Sequence, residues 1–141
     1  MKFTCTKTNF NNGINIALKA VPGKTTMPIL ECVVIEAKGD MVKLTTNDMQ
    51  LGIETKIPAE IEQDGIILVN AKMISEIVRR LPDDDVNFEV DENNNILLFC
   101  GKSKFNIPGI PHDEFPMLPK IEADKTIHIS QFTLKEMIRQ T

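Results

Sequence analysis

The sequence contains no tryptophan, no tyrosine and only three cysteines in 141 residues. Its seven phenylalanines fall mostly in apolar, core-like runs, so it lacks the exposed aromatic rings on which the bases of single-stranded nucleic acid stack. The cysteines, Cys5, Cys32 and Cys100, lie far apart in apolar segments without C-x-x-C spacing. We interpret them as reduced core residues rather than as metal ligands or redox groups.

Long hydrophobic runs and the common catalytic signatures are also missing. No apolar stretch approaches the roughly 20 residues that span a bilayer, and the start, MKFTCTKTNF, lacks the apolar segment of a signal peptide. We therefore expect a cytoplasmic protein without a membrane partner. G-x-x-x-x-G-K-[ST], G-x-G-x-x-G, H-E-x-x-H and G-x-S-x-G do not occur. The sequence predicts neither catalytic residues nor a cofactor, and enzyme activity is not expected.

The histidines and the acidic cluster do not predict a metal site. His112 lies in a proline-rich segment and His128 in a strand-like run, and neither has a second ligand at metal spacing. Asp83, Asp84 and Asp85 are adjacent, but neighbouring carboxylates do not converge on one cation without further ligands. We interpret the three aspartates as a turn after a helix.

One stretch, IILVNAKMISEIVRRLP at residues 66–82, indicates how the chain is built. A short apolar run suited to a strand is followed by an amphipathic run that Pro82 ends. Asn70 is the expected N-cap of the helix. Its apolar residues recur at helical spacing and leave the charged ones on the other face: Met73, Ile74, Ile77, Val78 and Leu81 against Lys72, Ser75, Glu76, Arg79 and Arg80.

The order strand, helix, three strands occurs twice, in repeats of about 1–62 and 66–108. In the first repeat we predict strands at 3–6, 32–37, 41–46 and 51–57 and a helix at 10–21, although Asn11, Asn12 and Gly13 would also suit a turn. In the second we predict strands at 66–69, 86–90, 96–100 and 103–107 and a helix at 71–81. The prediction is an α+β fold with both helices side by side on one face of antiparallel sheets.

The same order begins a third time after the proline-rich segment IPGIPHDEFPMLP. Residues 126–130 alternate like a strand, and QFTLKEMIRQT reads as the start of a helix that reaches Thr141. We expect residues 1–119 to form one domain and 120–141 to be the start of a second, truncated one.

Basic residues are concentrated near the predicted helices, although the formal net charge is −4. Lys72, Arg79 and Arg80 share one helix, Lys19 and Lys24 follow the first, and Lys135 and Arg139 lie on the third. Aligned helices would form a cationic surface suited to duplex phosphates, without base reading. Two alternatives stay open: a protein-binding scaffold without DNA contact, and a small-molecule enzyme, for which a convergent polar cluster is missing.

Several short motifs together resemble the bacterial sliding clamp, the beta subunit of DNA polymerase III. They are MKFT at 1–4, TMPIL at 26–30, TNDM at 46–49, the helix after Val69, and Phe115-Pro116 in DEFPMLP. The resemblance covers all 141 residues. It implies a processivity factor of DNA replication, in which three such domains per chain join head to tail as a dimeric ring. The resemblance also implies that helices line the hole of this ring and that sheets form its outside.

The resemblance also implies site residues and partners. The family's DNA-contacting basic residues fall on Lys24, Lys72 and Arg79, and its dimer interface falls on Phe105 and Ile107. The implied partners are duplex DNA of any sequence, a second copy of the full-length chain, and the replicative polymerase and clamp loader. The last two would bind through domains absent from this chain. We expect the 141-residue chain by itself to be monomeric.

Overall fold

The structure, a computed structural model, describes residues 1–120 and 125–140. Among these residues the helices are α1 (Lys7–Ala17), α2 (Ala71–Arg80) and α3 (Gln131–Arg139). The strands are β1 (Lys2–Thr6), β2 (Cys32–Lys38), β3 (Met41–Asn47), β4 (Gly52–Pro58), β5 (Glu60–Gln63), β6 (Gly65–Asn70), β7 (Asp85–Val90), β8 (Asn95–Cys100) and β9 (Ser103–Pro108). Short 3₁₀ turns occupy Leu18–Ala20, Pro28–Glu31 and His112–Glu114.

The strands form two antiparallel sheets. Sheet A has the order β5-β1-β7-β8-β9 and sheet B the order β4-β3-β2-β6. The predicted α+β class is confirmed, and so is the repeated order of strand, helix and three strands, except that the first repeat ends with an additional strand, β5. β5 was not predicted, because its sequence, EIEQ, is too polar to show the apolar alternation of a strand; pairing with β1 holds it in place.

The first strand of each repeat belongs to the sheet of the other repeat. β1 pairs with β7, where Cys5 lies opposite Val86, and β6 pairs with β2, where Leu68 lies opposite Val34. Each repeat therefore completes the other's sheet through backbone hydrogen bonds between residues far apart in the chain. The two repeats form one domain for this reason.

All three helices begin with the same side-chain cap. Thr6 Oγ1 accepts a hydrogen bond from the Asn9 N–H at 3.2 Å, and Asn70 Oδ1 accepts one from the Met73 N–H at 2.9 Å. Ser130 Oγ accepts one from the Thr133 N–H at 3.1 Å. Each cap pairs one orphan donor of the first helical turn. The cap at Asn70 was predicted, whereas α1 begins at Lys7 and not at residue 10 because Thr6 already caps it.

Residues Asn11, Asn12 and Gly13 lie inside α1 and do not form a turn. The α-helix ends at Ala17, and the chain continues as a 3₁₀ turn to Ala20 instead of as the predicted helix to residue 21. Gly13 is buried where α1 crosses sheet B, and a Cβ there would come within 2.8 Å of Ile57 Cγ2. The glycine permits this close approach of helix and sheet.

Both helices of the repeats bury their apolar faces in one core cluster that also includes both sheets. α1 and α2 pack side by side, as predicted. Three phenylalanine rings join β1, α1 and β7: Phe3 stacks on Phe88 with centroids 4.8 Å apart, and Phe10 meets both rings edge-on at 6.2 and 6.1 Å. Such aromatic packing adds to the area that these side chains bury.

The predicted strand at residues 126–130 is wrong. Residues 126–130 form no ladder with any described strand, and Ser130 instead caps α3. Alternating side chains favour a strand only where a neighbouring strand can pair the backbone groups. The predicted helix that follows is confirmed over Gln131–Arg139. Thr141 and residues 121–124 of the expected second domain lie outside the described residues.

The three cysteines are buried and free, in agreement with their interpretation as reduced core residues. Burial and the nearby Asp85 carboxylate raise the pKa of the Cys5 thiol to about 12. Burial also raises the pKa of Cys32 and Cys100. Neutral, buried thiols are poor nucleophiles and poor metal ligands. Of the helices in the described residues, none is long and apolar enough to cross a membrane.

Replacing Gly13 by valine is expected to lower the free energy of unfolding by about 1–2 kcal/mol. The added side chain must displace Ile57 and Leu44 from the packed core, a cost that exceeds the gain in helix propensity. Gly23→Val is the matched control, since a Cβ at Gly23 has no atom within 4 Å. Urea unfolding of both variants measures the difference; equal stability of the two would mean that α1 and sheet B can separate without cost.

Candidate nucleic-acid interface

Lys72 and Arg79 project from the same side of α2. They are seven residues apart, so they lie two helical turns and about 10 Å from each other along the axis. Both are exposed, while Ala71, Ile74 and Val78 face the core. The amphipathic sequence of α2 thus places two cations on the solvent-exposed face of the helix, which does not contribute to the core.

Lys24 reaches solvent from a different element, the segment after the 3₁₀ turn Leu18–Ala20. The end of α1 before it is fixed by Thr46, whose buried Oγ1 donates a 2.6 Å hydrogen bond to the Ala17 carbonyl. Thr25 then turns the backbone, because its Oγ1 accepts a hydrogen bond from the Met27 N–H at 3.0 Å. Lys24 is therefore exposed on a segment anchored at both ends.

No ion pair within 4 Å engages Lys24, Lys72 or Arg79 in the part of the chain that the structure describes. Other cations are paired: Lys2 lies 3.1 Å from Glu62 and Lys43 lies 3.0 Å from Glu36. Anions near Lys24, Lys72 and Arg79 would therefore not have to displace a protein carboxylate. Charges that are exposed and unpaired suit weak, salt-dependent contact with phosphates.

The remaining charges of the helices are distributed less evenly than the sequence analysis supposed. On α2, the single acid Glu76 stands against Lys72, Arg79 and Arg80, which leaves a local excess of positive charge. On α3, Arg139 is ion-paired with Glu136 at 3.3 Å. α1 contains one cation, Lys7, so the positive charge near the helices of residues 1–120 lies mainly on α2 and on the segment around Lys24.

Phe105 and Ile107 lie on β9, the edge strand of sheet A, with both side chains on the core-facing side. Their burial differs. Ile107 is 1% exposed and belongs to the core, whereas Phe105 is half-buried and packs against the core from its border. Lys104, which precedes Phe105, is exposed, and its Nζ lies 5.3 Å from the centroid of the Phe99 ring. Along β9, Phe105 is thus the apolar side chain that a neighbouring strand could cover further.

His112 and the aspartate cluster make local contacts. Asp84 Oδ1 accepts a hydrogen bond from the Asp85 N–H at 2.8 Å, at the start of β7. His112 Nε2 lies 3.9 Å from the carboxylate of Asp113. Within residues 1–120 and 125–140, no three His, Cys, Asp or Glu side chains are grouped so that they could hold a metal ion.

Sequence reasoning missed the two neighbours that orient this region, Thr46 and Asn47. Thr46 holds the end of α1, and Asn47 donates a 3.0 Å hydrogen bond from Nδ2 to the Pro116 carbonyl. The motif TNDM was singled out, but polar residues at the end of a strand carry no signal for their distant partners. Only the packing of the strand reveals these contacts.

Comparison with known proteins identifies the family. Residues 1–119 match the family model described as DNA polymerase III beta subunit, N-terminal domain. The chain is 40% identical over 149 residues to the beta sliding clamp of Bacillus subtilis (strain 168), and the match covers 100% of this chain and 39% of that relative.

Solved structures agree with this match. The DNA polymerase sliding clamp from Bacillus subtilis superimposes with a TM-score of 0.96 at 40% identity, over 100% of this chain and 39% of the other. A chain assigned as a beta subunit from Eubacterium rectale ATCC 33656 gives 0.95 at 52% identity, with the same coverage. This chain thus spans about two fifths of the length of these relatives. It belongs to the family of DNA polymerase III beta subunits and contains the N-terminal domain of that family.

Proposed function

We propose that this chain is the N-terminal part of a sliding clamp, a non-catalytic processivity factor of DNA replication in the cytoplasm. The observation that carries the proposal is the exposed face of α2 in a beta-subunit domain, where Lys72 and Arg79 make no ion pair with any residue that the structure describes. Such a face attracts phosphates whatever the base sequence, because charge alone makes the contact. Lys24 adds a third cation from the segment that follows α1.

In the proposed mechanism, the time for which DNA stays bound does not depend on the affinity of the cations for phosphate. A few exposed cations give dissociation constants of about 10⁻⁴ to 10⁻⁶ M at physiological salt, too weak to hold DNA for long. A closed ring supplies the persistence by encircling the duplex, while the weak contacts let the duplex slide. Six domains, three from each of two full-length chains, would form that ring, with helices such as α1 and α2 toward the hole. Polymerase and clamp loader would bind through domains that this chain does not contain.

For the joint between two chains we propose the β9 edge, with Phe105 and Ile107 in different roles. β9 ends sheet A among the described strands, so its outer backbone groups are open to pairing with a strand of the second copy. Phe105 is half-buried and would be covered by that strand. Ile107 is already in the core and would support the edge from behind.

Substituting alanine at Lys24, Lys72 and Arg79 together is expected to weaken the binding of linear duplex DNA equally for any base sequence. The salt dependence should flatten too, because each phosphate contact contributes about 0.9 to the slope of log K against log salt. The test uses a full-length beta subunit whose first 141 residues are this chain, with fluorescence anisotropy at several salt concentrations. Thermal unfolding should hardly change, since exposed charges contribute within about 0.5 kcal/mol.

The matched control replaces Lys38, Lys56 and Lys102, which are also exposed but lie on sheet B and in the β8–β9 turn. Both triple variants remove three positive charges, so a general effect of net charge would weaken both alike. Selective loss in the first variant supports the proposal. Equal binding by the two variants would remove Lys24, Lys72 and Arg79 from the interface.

The 141-residue chain by itself is expected to sediment as a monomer at micromolar concentration, because the strand proposed to cover β9 belongs to another domain.

In the full-length protein, Phe105→Ala should weaken the dimer about tenfold or more, while leaving the stability of the first domain less affected. Ile107→Ala should instead destabilise that domain by about 2–5 kcal/mol, since it leaves a cavity in the core. A tight dimer of the 141-residue chain would contradict the proposed interface at β9. So would an unchanged dimer affinity of the full-length Phe105→Ala variant.

A further inference from the structure

Residues 109–118, here called the connector, do not leave the domain after β9 but run across sheet B on the face opposite the core. Ile110 and Leu68 exchange two backbone hydrogen bonds, each 2.9 Å long, so the connector pairs with β6 at this point. Phe115 is 5% exposed and packs with Cys32, Val34 and Leu68 in a second, smaller apolar cluster. The connector is thus part of the folded domain and not a free linker.

Asn47, at the end of β3, holds the connector beyond Phe115. Its Nδ2 donates a hydrogen bond to the Pro116 carbonyl at 3.0 Å, and its Oδ1 accepts one from the Met49 N–H at 2.8 Å. Asn47 is 9% exposed, and Met49 adopts a φ of 75°, a left-handed conformation that this second bond stabilises. The amide of Asn47 thus donates to one partner and accepts from the other, whereas an ionised aspartate has no donor and could serve the turn but not the connector.

The preceding residue, Thr46, makes the corresponding contact on the opposite face of the same strand. Neighbouring residues of a strand point to opposite faces. Thr46 accordingly reaches into the core and binds the Ala17 carbonyl, at the end of α1, while Asn47 points outward to Pro116. Thr46 and Asn47 therefore link β3 to the end of α1 on one face of sheet B and to the connector on the other face.

We propose that Asn47 is a positioning residue, a latch that fixes the path of the connector and so the orientation of the following domain relative to α1 and α2. This inference rests on the proposed ring, because the following domain needs a fixed angle to this domain only if the domains close into a ring. The latch sets that angle from the outer face of sheet B, whereas the proposed DNA contacts lie on α2 and on the segment that follows α1. It acts through the connector and does not touch DNA.

Hydrogen exchange of the 141-residue chain tests the latch without DNA. Asn47→Asp keeps the acceptor for Met49 and removes the donor for Pro116. It is expected to speed exchange of the Ile110 and Phe115 amides about fivefold or more, because opening of the connector becomes easier. Exchange of the Leu98 amide in β8 should not change. Asn12→Asp, at an exposed position of α1, adds the same charge and should leave all three amides unchanged.

A second variant displaces the connector without altering Asn47. A Cβ at Gly52 would overlap the side chain of Leu118, so the branched side chain of Gly52→Val should displace Leu118 from β4 and speed exchange of the same two amides. Unchanged exchange at Ile110 and Phe115 in Asn47→Asp would overturn the latch. So would an equal acceleration at Leu98, because that result assigns Asn47 to general stability.

The orientation claim is tested in the full-length protein, where Asn47→Asp should shorten the lifetime of the dimer severalfold and Asn12→Asp should not. A freed connector with an unchanged dimer lifetime would contradict that claim. The proposed DNA contacts are tested by a separate experiment, the alanine variants of Lys24, Lys72 and Arg79. Each of the two proposals can therefore be refuted without refuting the other.

Discussion

Each half of the domain contributes its first strand to the sheet of the other half, β1 beside β7 and β6 beside β2. A helix follows each exchanged strand directly, and the last strand residue, Thr6 or Asn70, caps it. Backbone pairing of the two strands therefore also determines where α1 and α2 start. Because both helices bury their apolar faces in the core between the sheets, they come to lie side by side. The exchange thus creates the helical surface on which the proposed function depends.

That surface separates the residues that stabilise the fold from those that would meet DNA. On α2, Ala71, Ile74 and Val78 lie in the core, while Lys72 and Arg79 make no ion pair among the described residues. Exposed and unpaired cations contribute little to stability. They remain available for phosphates, and because each contact is weak and screened by salt, the surface suits sliding better than tight binding.

Motifs that are scattered along the sequence come together on the outer face of sheet B. Ile29 of TMPIL packs against the small cluster that includes Phe115 of DEFPMLP, and Asn47 of TNDM binds the carbonyl of the adjacent Pro116. Three of the motifs that resemble the sliding clamps, TMPIL, TNDM and DEFPMLP, therefore meet where the connector crosses sheet B.

Periodicity and turn chemistry in the sequence determined the elements. The spacing of Ile74 and Val78 predicted α2, and Asn70 predicted its cap, while Gly39, with a φ of 68°, suits the turn found between β2 and β3. These features depend on neighbours within a few residues, and the sequence contains those neighbours. The family resemblance added the domain type and the residues proposed to contact DNA, Lys24, Lys72 and Arg79, which stay predictions.

Tertiary structure alone decided the features that depend on distant partners. Alternation predicted a strand at residues 126–130, but no described strand pairs with it, and the polar β5 became a strand because β1 did pair with it. Alternation likewise gave Phe105 and Ile107 the same face, yet their depths differ because the surroundings of an edge strand set burial. A residue's type and spacing determine what it can bond to, whereas its partner is determined by which distant backbone the packed core brings within reach.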